Sequence, residues 1–275
     1  MSKRWLLAVA TVGLFAAAIA VGHQDEAVRP AKRLPLTTVT CGQLISRSIR
    51  VNNDLSCSSS NGLNVARDKI TIDMNHHTFF GTSSWYGINL ALFPRVTVTN
   101  GTVQGWLIGV AANANGERIT RMAVDGGSTG ISIGSAGNAV SGNTVVGSTV
   151  NGIDVAGNDH RITGNTVRGA HAAGIFVGGR GTLIQGNVTT GNDDIGIDDG
   201  GVSNRLIENV AYANGTSGSG PAIYAVTDDS ASIGHNVANE NRGYGIDSSP
   251  LVHDLGGNRA HGNTTVAQCH FVVCS

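Results

Sequence analysis

The sequence predicts an all-β protein built as a parallel β-helix, a solenoid of about nine coils of roughly 22 residues with disulfide-fastened ends. Three observations predict this fold: a repeat of nearly constant length, short alternating strands within each repeat, and cysteines confined to the two ends. A small residue followed by an aliphatic one marks each repeat, at steps of 25, 22, 21, 22, 22, 22, 26 and 23 residues. The nine copies begin at Gly62, Gly87, Gly109, Gly130, Gly152, Gly174, Gly196, Ala222 and Gly245.

Each repeat predicts three short strands and no helix. In residues 152–173, Ile153 and Val155 flank Asp154, and further apolar residues alternate with polar ones between Gly, Asn and Asp turn signals. A unit of this length without a crossover helix brings each strand beside its own copy only by coiling around an axis. Because parallel strands lie about 4.8 Å apart, one position in the repeat becomes a column along the molecule.

Asparagine recurs 13 residues after the start of most repeats and predicts an internal ladder at a turn. Asparagine tolerates the left-handed backbone conformation, and its amide both donates and accepts hydrogen bonds along a stack. The predicted ladder contains Asn75, Asn100, Asn143, Asn165, Asn187, Asn209 and Asn258, with Asn236 displaced by one residue and Met122 as the exception.

The N-terminal residues predict export. Lys3 and Arg4 precede an apolar run that ends with the small residues Ala18 and Ala20, the pattern of a secretory signal peptide. We therefore expect a secreted, extracellular protein with no membrane span after removal of this peptide. The predicted segments are a signal peptide (1–20), a leader or linker (21–38), an N-terminal cap (39–61), β-helix repeats (62–268) and a C-terminal cap (269–275).

Four cysteines lie only at the edges of the repeats: Cys41 and Cys57 before the first, Cys269 and Cys274 after the last. A solenoid exposes its core and strand edges at both ends, so the terminal units need caps. Spacing favours local disulfides, Cys41 with Cys57 and Cys269 with Cys274, over the two other connectivities. The two pairs lie at opposite ends, so neither supplies the four ligands of a structural metal site.

Several stretches carry a family resemblance: VTCGQLI at 39–45, ITIDMNHHTFFG at 70–81, the recurring GI and GN units, and the ending from 256 to 274. From about Cys41 to Cys274 the chain resembles secreted right-handed β-helix proteins of the pectate-lyase-like superfamily. The resemblance implies a right-handed coil. It does not specify an activity, because that superfamily includes polysaccharide lyases, hydrolases, epimerases and proteins without known catalysis. The catalytic motifs G-H-G and D-P-H of its enzymes are absent here, so no catalytic residue is transferred.

The third residue of each repeat is predicted to point outward, because it lies between two inward aliphatic residues. In the second half of the chain this position alternates carboxylate and aromatic residues: Asp154, Phe176, Asp198, Tyr224 and Asp247. An adjoining turn position places His171 one strand spacing from Asp193. Aromatic rings and carboxylates on one face suit the ring faces and hydroxyls of a sugar chain.

Our leading prediction is that Asp154, Phe176, Asp193, Asp198 and Tyr224 bind an extracellular polysaccharide, with catalysis unproven. The first alternative is a polysaccharide hydrolase or lyase whose candidate catalytic residues are Asp154, His171 and Asp198. Asp154 and Asp198 are two coils apart, roughly 9.6 Å, close to the upper end for an inverting carboxylate pair. The second alternative is a non-catalytic structural surface protein.

Charge and ligand chemistry limit the other partners. A net charge of −1 with mixed signs gives no support for a nucleic-acid partner. We expect a monomer without a cofactor or metal. Calcium remains an alternative, because Asp193, Asp194, Asp198 and Asp199 offer hard oxygen ligands close together in sequence.

Overall fold

A computed structural model of the chain shows a β-solenoid. The structure describes residues 33–82, 84–90, 92–218, 220–225 and 230–275. Within these ranges every regular element is a strand, and none is a helix long and apolar enough to cross a membrane. The signal peptide predicted over 1–20, and the leader up to residue 32, lie outside the described residues.

One side of the solenoid is an eleven-stranded parallel sheet, here sheet I. Each coil adds one strand, which begins with the inward aliphatic residue that marks the repeat or just before it. Short strands separated by turns form because β-branched residues alternate with polar ones and glycine or asparagine follows. The strands are Gln43–Ile45, Leu63–Val65, Tyr86–Asn89, Ile108–Ala112, Thr129–Ile133, Ile153–Val155, Ile175–Val177, Ile197–Asp199, Ile223–Ala225, Ile246–Ser248 and Cys269–His270.

The other two sides belong to a nineteen-stranded parallel sheet, here sheet II, which is bent so that a coil contributes two strands to it. The prediction of three strands per coil is therefore confirmed. The strands are Leu36–Thr37, Ile49–Val51, Leu55–Ser56, Thr71–Asp73, Thr78–Phe80, Thr97–Gln104, Arg118–Asp125, Ala139–Ser141, Thr144–Val146, Arg161–Thr163, Thr166–Arg168, Leu183–Gln185, Val188–Thr190, Arg205–Ile207, Val210–Tyr212, Ser232–Gly234, Val237–Asn239, His253–Gly256 and Arg259–His261.

Aliphatic columns fill the interior. Ile153, Ile175 and Ile197 are register partners on successive strands of sheet I, and each is fully buried. Val155 and Val177 form a second buried column two residues further on. A strand with one inward face repeats its apolar residues at a spacing of two, so the intervening side chain must face outward. The register of sheet I thus fixes which residues share the outer surface.

The asparagine ladder lies at the bend of sheet II and runs inside the solenoid. Each side-chain amide donates to the Oδ1 atom of the asparagine on the next coil: Asn143 to Asn165 at 2.9 Å, Asn165 to Asn187 at 2.9 Å and Asn187 to Asn209 at 3.0 Å. Asn209, Asn236 and Asn258 continue it at 3.0 and 3.2 Å. The displaced Asn236 is a member, as predicted.

Asn100 was wrongly assigned to this ladder. Its side-chain Oδ1 accepts a hydrogen bond from Arg121 Nε at 2.7 Å, outside the stack. The position below Asn143 is Met122, whose backbone N–H donates to Asn143 Oδ1 at 2.9 Å, and below it lies Gly101. The repeat that begins at Gly87 has one more residue before the bend than the repeat that begins at Gly109. The ladder position in this coil is therefore Gly101 and not Asn100.

A second buried ladder follows the other strand of sheet II and was not predicted. Asn192, Asn214 and Asn241 donate upward from their side chains to the next asparagine, at 2.8, 3.1 and 2.9 Å. Asn263 ends the stack, and its amide donates to Gln268 Oε1 at 2.9 Å. The two ladders supply buried acceptors for backbone N–H groups at the turns, where strand pairing is interrupted.

Both ends of the solenoid carry the predicted disulfides. Cys41 pairs with Cys57 across a Cα–Cα distance of 5.7 Å, and Cys269 pairs with Cys274 across 6.1 Å. The outermost strands of sheet I lie within the segments predicted as caps. Those segments therefore extend the repeat, which gives sheet I eleven strands where nine repeats were counted.

Candidate functional site

The outer surface of sheet I brings together the residues predicted to bind a ligand. Asp154, Phe176, Asp198, Tyr224 and Asp247 are consecutive Cα partners in the parallel register. We call these five residues the acid–aromatic column. Neighbouring members lie one strand apart, so the three carboxylates recur at about 9.6 Å with an aromatic ring between each pair.

The side chains of the column point outward and are half-buried. Around Asp198, for example, Ile197 and Asp199 are both fully buried in the interior, so the side chain between them faces out. A residue in this position is shielded by its neighbours above and below yet remains open to solvent on one side.

Asp198 has the most perturbed electrostatics of the column. Its carboxylate makes no hydrogen bond or ion pair to the described residues. Partial burial raises the pKa of Asp198, and the nearby negative charge of Asp194 raises it further. By contrast, Asp154 Oδ2 accepts a long hydrogen bond of 3.5 Å from Asn151 Nδ2 on the same coil. The two carboxyl groups therefore stand in different environments.

His171 and Asp193 lie on adjacent coils as predicted, but their side chains have different surroundings. The backbone N–H of Asp193 donates to Ala170 O, which sets it beside His171. His171 is exposed, and its ring makes no hydrogen bond with any described residue. The Asp193 carboxylate instead accepts from Thr216 Oγ1. In the described part of the chain no hydrogen bond or ion pair joins His171 to Asp154 or Asp198.

Asp193 acts as an anchor for the loop after Asn214. Its carbonyl accepts the backbone N–H groups of Ser217 and Gly218, both at 3.0 Å, as well as the Ser217 hydroxyl at 3.1 Å. These contacts explain why a longer repeat is tolerated here, because the extra residues are tied to the coil below. They also occupy Asp193, which we predicted as a ligand-binding residue.

A cluster at the C-terminal end of the acid–aromatic column was not predicted. His270 is the next register partner after Asp247, and its Nδ1 lies 2.9 Å from Asp247 Oδ1. The His270 ring stacks on Tyr244 at 5.5 Å and 17°, and packs against Phe271 at 3.8 Å. The sequence signal was the spacing from Asp247 to His270, which continues the repeat into the segment assigned as a cap.

The four aspartates proposed as calcium ligands do not face a common point. Asp199 is fully buried inside the solenoid, whereas Asp198 lies on its outer surface. Among the described residues no group of three or more His, Cys, Asp or Glu side chains is placed to hold a metal ion. Calcium binding stays an untested prediction.

A cavity of about 520 Å³ lies away from the acid–aromatic column. It follows the turns that lead into sheet II, and its lining includes Arg95, Asn115 and Asp159. The column itself lies along a sheet surface, and its residues are spread over five coils. Such a surface matches an extended polymer better than a small molecule.

Comparison with solved structures shows the same fold in other proteins, among them a tailspike and a lyase. The Dettilon tailspike protein is 14% identical with a TM-score of 0.64, and the match covers 86% of this chain and 61% of the tailspike chain. The alginate lyase from Paenibacillus sp. str. FPU-7 is 15% identical with a TM-score of 0.57, over 84% of this chain and 99% of the lyase. This chain thus spans less than two thirds of the tailspike. Identities this low show a shared fold.

Comparison with curated proteins finds no match. A family profile, described as the right-handed β-helix region, matches residues 108–265, which is more than half of the 275-residue chain. The matched segment contains the outward column, both asparagine ladders and most of sheets I and II. The chain belongs to the right-handed β-helix family.

Proposed function

We propose that this protein binds an extracellular polysaccharide along the acid–aromatic column. The observation that carries the proposal is the alternation of carboxylate and aromatic residues in register over five coils. The strand spacing of about 4.8 Å is close to the length of one sugar residue in an extended chain. A glycan lying along the column would place alternate sugars on Phe176 and Tyr224, with carboxylates accepting hydroxyl hydrogen bonds between them.

The charge of the column indicates the class of polysaccharide. Asp154, Asp198 and Asp247 present three carboxyl groups on one line, with Asp194 nearby. A polymer that carries a carboxylate on each sugar would meet repulsion at Asp154, Asp194 and Asp198, since in the described part of the chain only Asp247 of these acids has a histidine, His270, beside it. The column therefore favours a neutral polysaccharide over a uronan.

The similar structures support a carbohydrate ligand in general terms. One of them is named a lyase of alginate, and its chain is matched almost entirely by this one. The two disulfides fit an oxidising compartment outside the cytoplasm, where such polymers occur. Secretion through the predicted signal peptide completes this proposal.

A hydrolase is the second candidate, and the perturbed pKa of Asp198 favours it. An inverting glycosidase needs one carboxylic acid that holds its proton and one carboxylate that activates water. Asp198, with its raised pKa, would be the acid, and Asp154 would be the base at about 9.6 Å. His171 has no role in this scheme, because within the described residues its ring makes no hydrogen bond or ion pair with either carboxyl group.

The binding proposal is tested with a Phe176→Ala, Asp198→Asn variant on a glycan array of neutral and acidic polysaccharides. We expect the wild type to retain a neutral glycan and the variant to bind it at least tenfold more weakly, about 1.4 kcal/mol. The matched control is Tyr212→Ala, since Tyr212 is an exposed aromatic residue on sheet II. Thermal unfolding of all three proteins reports on the fold.

Two results would decide against the proposal. Equal glycan binding by the wild type and the double variant would remove the column from the binding site. No binding to any glycan would favour a purely structural surface protein. Hydrolysis is followed separately through reducing ends released from the bound glycan, which Asp198→Asn or Asp154→Asn alone should abolish if the second candidate is correct.

A further inference from the structure

A second outward column has the same period as the first and the opposite charge. Arg118, Ala139, Arg161, Leu183 and Arg205 are consecutive register partners at the start of their strands in sheet II. We call these five residues the arginine column. Its arginines recur every second coil, about 9.6 Å apart, as the aspartates of the acid–aromatic column do.

The three arginines are exposed and unpaired in the described part of the chain. Their side chains stand on the outer surface because the following residues, Ile119, Ile162 and Leu206, are buried. None of the three guanidinium groups makes a hydrogen bond or an ion pair with a described residue. Regularly spaced, exposed cations form an interface with a partner that presents negative charges at the same spacing.

The two columns match residue by residue. Set side by side, each arginine meets an aspartate, while Ala139 and Leu183 meet Phe176 and Tyr224. Because both columns have five positions with the same coil spacing, the match holds whether the two solenoids run parallel or antiparallel. In both arrangements the central pair is Arg161 with Asp198. The Asp198 carboxylate has no partner among the described residues, whereas Asp247 at the end of the column already lies beside His270.

We propose that the arginine column docks on the acid–aromatic column of a second copy of this chain. The contact joins two different surfaces, so each molecule offers one of each kind and the association continues beyond the dimer, into a ring or an open chain of solenoids. This inference departs from the monomer that we expected from the sequence. It goes beyond the proposed function and competes with it, because a glycan and a second copy occupy the same column.

The contact depends on ionic strength. Single exposed ion pairs are weak, and salt screens them, so the three pairs act together with the apolar contacts between them. The Debye length is about 30 Å at 0.01 M salt and about 3 Å at 1 M. Sedimentation velocity on the full chain should show species larger than the monomer that grow with protein concentration at the lower salt. At the higher salt concentration we expect only the monomer to sediment.

Charge reversal on one column at a time tests the pairing. Arg161→Glu disables the arginine column but keeps the acid–aromatic column, and Asp198→Lys does the opposite. Each variant alone should sediment as a monomer at low salt. An equimolar mixture should again form species larger than the monomer, because the two intact columns meet and the two altered columns carry exchanged charges that also pair at their centre.

The matched control is Arg168→Glu, the same charge change at an exposed position on the other sheet II strand of the same coil. It should associate like the wild type. Far-UV circular dichroism and thermal unfolding check that all variants are folded. The Arg161→Glu variant keeps its glycan-binding residues, so glycan binding reports on the proposed function independently of association.

Two outcomes would overturn the inference. One is a wild-type protein that remains monomeric at low salt. The other is a mixture of Arg161→Glu and Asp198→Lys in which no dimer forms. If the wild type is monomeric but binds an acidic polysaccharide that Arg161→Glu no longer retains, the arginine column serves a polyanion and the self-docking proposal is wrong.

Discussion

Asp199 brings a carboxyl group into the interior of the solenoid, at the place that Val155 and Val177 occupy in the coils below. Its Oδ1 accepts hydrogen bonds from Asn204 Nδ2 at 2.6 Å and from the Gly201 N–H at 3.1 Å. Its Oδ2 is buried and has no hydrogen-bond partner among the described residues. Burial raises the pKa of Asp199 from its usual 3.8 to about 6. The fold therefore stabilises the protonated form.

This shift predicts that stability falls as pH rises. Because the pKa is higher in the folded protein than in the unfolded chain, the contribution is fully present below about pH 4 and is lost as pH passes through about 6. A shift of about two units corresponds to roughly 3 kcal/mol. Urea unfolding between pH 4 and pH 7 measures it, and Asp199→Asn should flatten the dependence over this interval.

The control for this prediction is Asp125→Asn, which removes an exposed carboxylate at the end of the strand Arg118–Asp125 and should leave the pH dependence unchanged. The same pH slope in Asp199→Asn and the wild type would show that Asp199 is ionised in the folded protein.

Glu117 extends the same effect to higher pH. Its side chain is buried at the turn before sheet II, where Oε2 accepts the Ala114 N–H at 3.0 Å and Oε1 has no hydrogen-bond partner among the described residues. Burial raises the pKa of Glu117 from its usual 4.5 to about 8, so its contribution to stability is fully present below about pH 4.5 and is lost as pH rises through about 8. We expect Glu117→Gln to remove the part of the stability loss that the wild type shows between pH 6 and pH 9.

His160 lies two coils along from Glu117 at the same turn, since Asn138 bonds to both. Its effect on the pH dependence of stability has the opposite sign. Its Nδ1 accepts the Asn138 N–H at 3.1 Å and its Nε2 donates to Ala156 O at 2.9 Å, which requires a neutral ring. Burial lowers the pKa of His160, so its contribution is present above about 6.5 and is lost as pH falls through the lowered value. Asp199 and Glu117 thus lower stability as pH rises, and His160 lowers it as pH falls. Together they narrow the pH range of maximal stability.

At the scale of single residues, the sequence predicted which way a side chain points better than it predicted the groups around that side chain. The alternation around Ile197 already requires Asp198 to face out and Asp199 to face in, yet the adjacent acids suggested one shared calcium site. Whether a buried carboxyl is tolerated depends on Asn204 and Gly201, which approach it only in the folded coil. That information is absent from the local pattern.

The asparagine ladder holds the coils together at the bend of sheet II. Asn187 Oδ1 accepts both the backbone N–H of Asn165 at 3.0 Å and its side-chain amide at 2.9 Å. Asn187 Nδ2 in turn donates to Ile162 O at 2.8 Å. Each ladder residue thus satisfies groups on the coils on both sides of it, which makes the stack cooperative.

Replacement of one ladder residue should therefore cost more than an ordinary surface change. Asn187→Ala leaves two buried donors of Asn165 without an acceptor, at about 1–3 kcal/mol each. We expect the free energy of unfolding to fall by at least about 2 kcal/mol in urea titrations. Asn158→Ala, at an exposed turn, is the control and should change it by less than about 0.5 kcal/mol. Equal small losses in both variants would contradict a structural role for the ladder.

At the scale of elements, periodicity predicted three strands per coil and one of the two ladders. The second ladder was present in the sequence as Asn192, Asn214, Asn241 and Asn263, but it lies at a second offset within the repeat. The error at Asn100 has a related cause, since an offset counted from the repeat start fails when a coil changes its spacing before the bend. Hydrogen-bond register, and not the count of residues, defines the column.

The whole molecule has opposite charges on two of its sides. The acid–aromatic column lies on sheet I and the arginine column on sheet II, and both arise from the same repeat of 22 residues. A solenoid gives every coil position its own column, so one repeat length fixes the spacing on all sides. This explains how the two columns match in period, and why a net charge near zero conceals two charged surfaces.

The fold of the whole molecule was predictable from the sequence because repeat length, strand alternation and terminal cysteines all agree. The predicted ligand face was also brought into register. The sequence could not show that Asp193 is occupied by the loop after Asn214. That contact depends on where the four extra residues of the 26-residue repeat fold, which the repeat length does not determine.

Deletion of one coil tests whether the repeat alone carries the fold. Removal of residues 153–174 joins Gly152 to Ile175 and restores the repeat junction. Asn143 then meets Asn187 in the ladder, so the shortened chain should fold with a circular dichroism spectrum like that of the wild type. Deletion of eleven residues from the same coil turns outward side chains inward and should prevent folding.

The same deletion also tests folding and self-association separately. It removes Arg161 from the arginine column and Asp154 from the acid–aromatic column, while the interior ladders close over the gap. The shortened protein should therefore stay folded but sediment as a monomer at low salt, because the two columns no longer match in period. An unfolded product would contradict this prediction. It would mean that the removed coil contributes stability that stacking of its two neighbours does not replace.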